Sequence, residues 1–253
     1  KPMLFHVIDS CLEAGVTDIV VIAGANMAEL KASVSGYYPG RKIRFAFQRR
    51  QRGTADAVKA GLKEVKDINK GVLILSGDVP LVEASTIRGL ISEFTREKCG
   101  GIICTSKVSD PSGYGRIIKA PDGNIIKIAE EKNAGLFERK IKEINSGVYV
   151  FNADALKRYI KSVKKDRLKG EFYLTDVIEM MSKNAIKIRA KDVDCAETSG
   201  INDRVQLMEA NRVKNKKNLE KLAKSGITIA DFNTVFISGK VNIGRDTVIK
   251  PFT

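Results

Sequence analysis

The chain has 253 residues, a formal net charge of +14, four cysteines and a single histidine. That length suits one large domain or one domain with an appendage. No apolar stretch is long enough to span a bilayer and no signal peptide is visible, which argues against a membrane partner.

Cys11, Cys99, Cys104 and Cys195 form no CxxC pair. Free thiols in a reducing cytoplasm are therefore favoured over a zinc site or disulfides. His6 lies on an expected helix, and one histidine gives neither a Ser-His-Asp triad nor a histidine metal centre. Chemistry then falls to carboxylates, a metal ion and backbone dipoles. The cations are spread over helix faces, with denser patches at 161–169 and 214–224, and no helix-turn-helix, zinc-finger or RNA-binding signature accompanies them. A solvated basic surface that helps steer anionic substrates is expected, with no nucleic-acid partner.

In chain order, Met3, Leu4, Val7, Ile8, Cys11 and Leu12 share one face of a helix over 3–14, stopped by Gly15. Strands are expected over 18–23, 43–47 and 72–76, and helices over 27–34, 54–65 and 84–98. This alternation predicts a Rossmann-like, mostly parallel sheet with helices on both faces. The pattern then changes. A strand over 102–108 precedes a hairpin, 116–119 and 124–129, turning at Pro121-Asp122-Gly123. A strand over 144–151, helices over 153–161 and 173–184, and a strand over 186–190 follow. Residues 203–225 read as one basic helix with a thin apolar stripe (Val205, Met208, Val213, Leu219, Leu222), the pattern of a bridge between domains. In the tail, Val235, Val241 and Thr247-Val248, with Ile243 and Ile249, are spaced as in a hexapeptide β-helix. Fewer than three coils are present, too few to bury their own faces. The expected organisation is a Rossmann-like α/β domain over 1–201, a linker helix over 202–225 and the start of a β-helix over 226–253.

Two strand ends carry the chemistry. The apolar run Val72-Leu73-Ile74-Leu75 stops at Gly77-Asp78-Val79-Pro80-Leu81, and open α/β sheets bind ligands just beyond the carboxyl ends of their strands. Asp78 stands where a hard cation and a phosphate could meet, although a mere turn former would occupy the same place. Gln48 and Gly53-Thr54 follow an earlier strand in the same way; Thr54 could equally cap the helix it begins. Asn145 is an unusual residue within a strand, which favours a ligand role. Gly115 could shape a turn. Thr175 could cap a helix, and Asn202 could cap the long one.

Taken in order, these segments resemble a known family. They are Lys1-Pro2-Met3-Leu4-Phe5-His6-Val7-Ile8-Asp9, Gln48 with Gly53-Thr54-Ala55, Gly77-Asp78-Val79-Pro80-Leu81 and Asp110-Pro111-Ser112-Gly113-Tyr114-Gly115-Arg116-Ile117. They continue with Ile128-Ala129-Glu130, Glu143-Ile144-Asn145-Ser146-Gly147, Gly170-Glu171-Phe172-Tyr173-Leu174-Thr175-Asp176 and Gly200-Ile201-Asn202-Asp203-Arg204. The chain is similar to the bacterial bifunctional N-acetylglucosamine-1-phosphate uridylyltransferase / glucosamine-1-phosphate N-acetyltransferase family. The resemblance implies a magnesium-dependent transfer of UMP from UTP to N-acetylglucosamine 1-phosphate, releasing pyrophosphate. It implies that Asp78 and Asn202 hold Mg²⁺, that Gln48, Gly53 and Thr54 bind the nucleotide, and that Gly115, Glu130, Asn145, Tyr173 and Thr175 line the sugar phosphate pocket. Choosing Glu130 over Glu131 rests on the resemblance alone. It also implies a cytoplasmic enzyme that is trimeric through its β-helix when complete. The chain begins inside the family's pattern, after the glycine-rich phosphate loop, and carries only the first acetyltransferase coils. Weak activity of this segment alone is therefore expected. The competing readings are a uridylyl- or thymidylyltransferase for another sugar 1-phosphate, and a non-catalytic assembly module.

Overall fold

The computed structural model describes residues 1–65, 71–166, 170–239 and 241–253. The basic stretch 161–169 lies partly outside the described residues, as does position 240 of the tail. The chain divides into two compact units, Lys1–Ser199 and Gly200–Thr253. Among the described residues no helix is long and apolar enough to cross a membrane.

The first unit begins with α1 (Met3–Glu13), which buries Phe5, Val7, Ile8 and Cys11. The next elements are β1 (Ile19–Ala23), α2 (Met27–Tyr37), β2 (Ile43–Phe47), α3 (Thr54–Glu64), β3 (Gly71–Ile74), α4 (Ala84–Glu97) and β4 (Gly101–Lys107). β1 and β2 pair in parallel, as the βαβ alternation predicts. A hairpin of β5 (Arg116–Lys119) and β6 (Ile125–Ala129) follows, antiparallel and turning at Gly123 with φ +83°. The long β7 (Glu143–Asn152), α5 (Ala153–Ile160), α6 (Thr175–Lys183), β8 (Ile188–Asp192) and the short α7 (Cys195–Thr198) complete the unit.

The six-stranded sheet has the order β6-β5-β7-β4-β8, with β3 also paired to β7. β4 and β8 are parallel, but β7 runs antiparallel to both β3 and β4. The sheet is therefore mixed rather than mostly parallel. The reason is the hairpin: it returns the chain to the sheet from the opposite end, so β7 enters reversed.

β4 shows why both faces of this sheet are covered. Its residues Gly101 to Ser106 are all buried, and successive side chains point to opposite faces. Ile103 joins Tyr149, Phe151, Leu156, Val177, Ile178 and Met181 on one side, in the core that includes α5 and α6 residues. Ile102 and Cys104 join Leu90 of α4, Val148 and Val150 on the other. Each such fully buried aliphatic or aromatic side chain contributes roughly 1.5–3 kcal/mol.

In the second unit, α8 (Arg204–Lys224) is capped by Asp203, whose side chain accepts from the Gln206 N–H. Asn202 is therefore not the cap; its own N–H donates to Gln206 Oε1 at 2.6 Å. The expected apolar stripe is only partly used. Leu219 is buried and Leu222 packs beside it, whereas Val205 and Met208 are exposed. Buried Asn215 ties the helix to the tail instead: its Nδ2 donates to the Val235 carbonyl at 2.8 Å and its Oδ1 accepts from the Ile237 N–H at 3.1 Å. The tail forms one parallel bridge, β9 (Thr228–Ile229) with β10 (Val248–Ile249). Val235 and Ile249 are buried and Ile243 packs on them, while Val241 and Val248 remain exposed. Aliphatic faces of this kind are covered only by further stacked coils.

Candidate functional site

Asp78 lies in the turn just beyond β3, half-buried. Val79 and Val82 anchor the segment in the core, each 2% exposed. Ser10 Oγ donates to the Val82 carbonyl at 2.7 Å, and Glu197 accepts from Thr86 Oγ1 at 2.6 Å and from the Glu83 N–H at 3.4 Å. Two separate parts of the chain, α1 and α7, thus brace this loop. Among the described residues, no hydrogen bond or ion pair engages the Asp78 carboxylate. No group of three or more His, Cys, Asp or Glu that could hold a metal occurs among those residues either. A lone strand-end carboxylate suits Mg²⁺, which keeps several waters and takes one or two protein carboxylates plus phosphate oxygens.

Gln48 follows β2, with its backbone N–H on the Ala23 carbonyl at 2.9 Å. Its Nε2 donates to the Gly53 carbonyl at 3.2 Å and to Asp56 Oδ2 at 3.3 Å. The side chain is held at the turn into α3 with its donor engaged. Gly53 has φ +102°, and a Cβ there would lie 2.5 Å from the Phe172 carbonyl oxygen. Glycine is required for two reasons at once, backbone conformation and close approach. The strand-like pairing Phe172 N–H to Arg52 O (2.7 Å) and Ala55 N–H to Phe172 O (2.9 Å) fills that contact. Thr54 does not cap α3; its Oγ1 accepts from the Leu174 N–H at 3.0 Å. Gly53-Thr54 therefore joins the β2–α3 turn to the segment leading into α6.

That segment delivers the second group of residues. Thr175, 5% exposed at the start of α6, donates from Oγ1 to Glu130 Oε1 at 2.8 Å. A Cβ at Gly115 would lie 3.7 Å from Glu130 Oε2, 3.6 Å from Asn145 Cβ and only 2.8 Å from Ile128 Cγ2. The Gly115 carbonyl accepts from the Asn145 N–H at 2.8 Å. Gly115, Glu130, Asn145 and Thr175 are thus one cluster, built from the hairpin, β7 and α6. Glu130 and Glu131 separate by geometry: Glu131 pairs with buried Arg116 at 2.6 Å and accepts from the Gly113 N–H. The Arg116 guanidinium holds the Glu131 carboxyl below its usual range.

Asn145 is oriented by a break in β7. Ile103 pairs with Tyr149 and Thr105 with Asn145, so β7 carries extra residues across this interval. Gly147 takes φ +75° there, and Ser146 Oγ donates to the Cys104 carbonyl at 2.7 Å. Bulges re-aim side chains near functional sites. Asn145 Nδ2 donates to Tyr149 Oη at 2.7 Å and its Oδ1 accepts from the Gly147 N–H at 3.2 Å. Burial pushes the Tyr149 phenol up, so it stays a neutral partner.

Tyr173 precedes α6, half-buried. Desolvation, then the nearby Glu171, Asp166 and Glu130 carboxylates, raise its hydroxyl to about 12. The geometry also adds a group that the motifs did not single out, Asp176. Burial first, then Glu179, Glu130 and Asp166, raise its carboxyl to about 6. Its position one turn-step past Thr175 was visible in the sequence, but its crowding by other acids was not. Asn202 belongs to the second unit, at the entrance to α8.

The sequence profile of the nucleotidyl transferase family matches residues 1–194, and the chain belongs to that family. Its relatives include the bifunctional protein GlmU of Acetivibrio thermocellus, 39% identical over 253 residues, and that of Caldanaerobacter subterraneus subsp. tengcongensis, 38% identical over 253 residues. Each alignment covers 100% of this chain and 54% of the relative, so the chain spans about half the length of those proteins. Among solved structures, a candidate glucose-1-phosphate thymidylyltransferase from Bacillus anthracis, in complex with sucrose, superimposes with TM-score 0.66 at 25% identity. It covers 84% of this chain and 82% of its own. A UDP-glucose pyrophosphorylase complexed with UDP-glucose shares the fold, with TM-score 0.69 at 18% identity over 86% of this chain and 88% of its own.

Proposed function

We propose that the chain is the nucleotidyltransferase half of a cytoplasmic GlmU-type enzyme, transferring UMP from UTP to N-acetylglucosamine 1-phosphate. The observation that carries this reading is the joining of two residue groups through the Arg52–Thr175 region. The Gln48–Thr54 turn and the Gly115–Glu130–Asn145–Thr175 cluster share the 172–175 segment as a common wall. The bifunctional relatives and the sugar-nucleotide structural neighbours support the same reading.

The residues divide the work by chemistry. The Gln48 side-chain donor is engaged within the protein. Its carbonyl oxygen is left to accept the imide N–H of uracil. Glu130 has one carboxylate oxygen on Thr175 and the other toward Gly115, and so can accept from sugar hydroxyls. Asn145 is held at both ends by Tyr149 and Gly147, and retains a donor hydrogen for an acetamido or hydroxyl oxygen. In the transfer, an oxygen of the sugar phosphate attacks the α-phosphorus of UTP in line and the bond to the β-phosphate oxygen breaks, releasing pyrophosphate. No covalent enzyme intermediate is required, so rate comes from alignment and charge neutralisation. Asp78 would hold Mg²⁺, which when bound neutralises phosphate charge. The second unit is read as the start of a hexapeptide β-helix, through which the complete protein would form trimers.

The test is pyrophosphate release with UTP, Mg²⁺ and N-acetylglucosamine 1-phosphate, in a version of the chain joined to the family's glycine-rich loop. Release is expected there and should fall by roughly a hundredfold or more in Asp78→Ala, the scale of losing a metal-held charge clamp. Glucose 1-phosphate turning over faster than the acetamido sugar would replace this substrate with another. No turnover of either would sink the transferase reading.

A further inference from the structure

A basic cavity of about 980 Å³ opens beside the end of β2, between α3 and α5. It lies on the face of α3 that carries Lys59 and Lys63 and borders Gln48 and Arg52 of the β2–α3 turn; its lining shares no residue with the Gly115–Thr175 cluster. Arg49 and Arg50 enter it from the β2 end, and Lys157 and Lys161 from α5. The acidic residue on the lining is Asp56, which is already paired with Arg52 at 3.0 Å and with Gln48. Among the described residues, no ion pair engages Arg49, Arg50, Lys63, Lys157 or Lys161. Among the same residues, Lys59 meets only the ring of Phe172, at 5.4 Å.

A solvated basic surface is normally convex, where each cation takes its own hydration. Here six cations converge on a concavity with low-dielectric walls, which focuses the field and concentrates counter-ions. The carboxyl ends of α3 and α5 offset only a fraction of that charge. The volume lies at the upper end of the small-ligand range. Arginine and lysine together are the usual pair for phosphate, the first as a fork and the second as a point charge. Phe47, 55% exposed on the rim, offers an apolar face beside the cations.

We propose that this cavity is a binding site for a chain of linked phosphates, separate from the Asp78 loop and the sugar phosphate cluster. The shared chemistry is the polyphosphate; its source is either an inorganic polyphosphate or the phosphate tail of a nucleoside triphosphate whose base rests on Phe47. The cavity borders Gln48, but its test is distinguishable from that of the uridylyltransferase reading, because the variants change only residues outside the Gln48–Thr54 turn and neither Mg²⁺ nor turnover enters it.

The probe is sodium tripolyphosphate, titrated calorimetrically into the 253-residue chain in magnesium-free buffer. Saturable binding is expected, weakening as salt rises from about 50 mM to about 200 mM. A variant carrying Lys63→Glu, Lys157→Glu and Lys161→Glu should lose roughly tenfold or more in affinity, since converging charges act together. Its circular dichroism and thermal midpoint should match the parent, and Lys63→Gln alone should show a smaller loss in the same direction if charge reversal disturbs the fold. ATP as a second titrant separates the sources. A Phe47→Ala loss for ATP but not for tripolyphosphate supports a nucleotide occupant, and equal behaviour of both supports the inorganic chain. Absence of binding, or affinity unchanged in the triple variant, overturns the site. So does a single-stranded oligonucleotide that binds more tightly than tripolyphosphate and is lost in the same variant.

Discussion

Gly53 shows how much one residue can carry. Its backbone conformation is open to glycine alone, and its missing Cβ is the space that the Phe172 backbone fills. Gly53→Ala should cost about 1–3 kcal/mol from the backbone alone. It should cost more from the clash, because backbone cannot step aside as a side chain can. Urea unfolding would measure it, and the neighbouring Gly40→Ala offers a contrast: its φ is also positive but its Cβ would meet nothing within 4 Å. Asp176 makes a different prediction. Its folded carboxyl is raised to about 6, from 3.8. The folded state therefore holds a proton that the unfolded state has lost in this window. Stability from this group is full below about pH 4 and is lost as pH rises through about 6. Asp176→Asn should raise the thermal midpoint at pH 7 and leave it nearly unchanged at pH 4. An equal gain at both pH values would show that the carboxyl is not crowded.

At the scale of elements, the local patterns were readable and the pairings were not. The helix face of α1, the 116–129 hairpin and the strand ending before Asp78 all follow from spacing within a few residues. The reversed entry of β7 does not, because direction in a sheet depends on partners far along the chain. The extra residues in β7 around Gly147 were hidden for the same reason: Asn145-Ser146-Gly147 read as an odd strand, and only its register with β4 reveals a bulge. The cap of α8 fell one residue from its expected place, on Asp203, since Asn and Asp are both good caps and local sequence does not separate them. Asn215 was passed over as one polar residue on a polar helix. Its two bonds to the Val235 carbonyl and Ile237 N–H predict that Asn215→Leu strands both groups, costing about 1–3 kcal/mol for each unpaired one. Hydrogen exchange at Ile237 would report it directly.

For the whole molecule, the four cysteines provide a reporter already in place. Burial raises the Cys11 thiol to about 11 and the Cys104 thiol to about 12. Neither should react with a thiol reagent at neutral pH, because the thiolate is the nucleophile and access is closed. Cys104 sits at 0% exposure in the central strand, so its labelling rate should equal the global opening rate of the first unit. Rapid labelling of Cys104 in native buffer would contradict the packing described. The net charge of +14 acts on the same scale. Self-repulsion weakens the compact state, and the thermal midpoint should rise when salt increases from about 20 mM to about 150 mM.

The braces on the Asp78 loop also set an order of events in time. Ser10 reaches Val82 across 72 positions of chain, and Glu197 reaches Thr86 across 111. Contacts this distant pay their loop-closure entropy before they return any stability, so they form late. On the ribosome, at about 5–20 residues per second, the turn that bears Asp78 would be made many seconds before Glu197 is available to hold it. The segment read as the metal corner is thus synthesised well before the contacts that make it rigid can form. A nascent chain arrested short of α7 would carry every residue of the turn that bears Asp78 and still lack its shape.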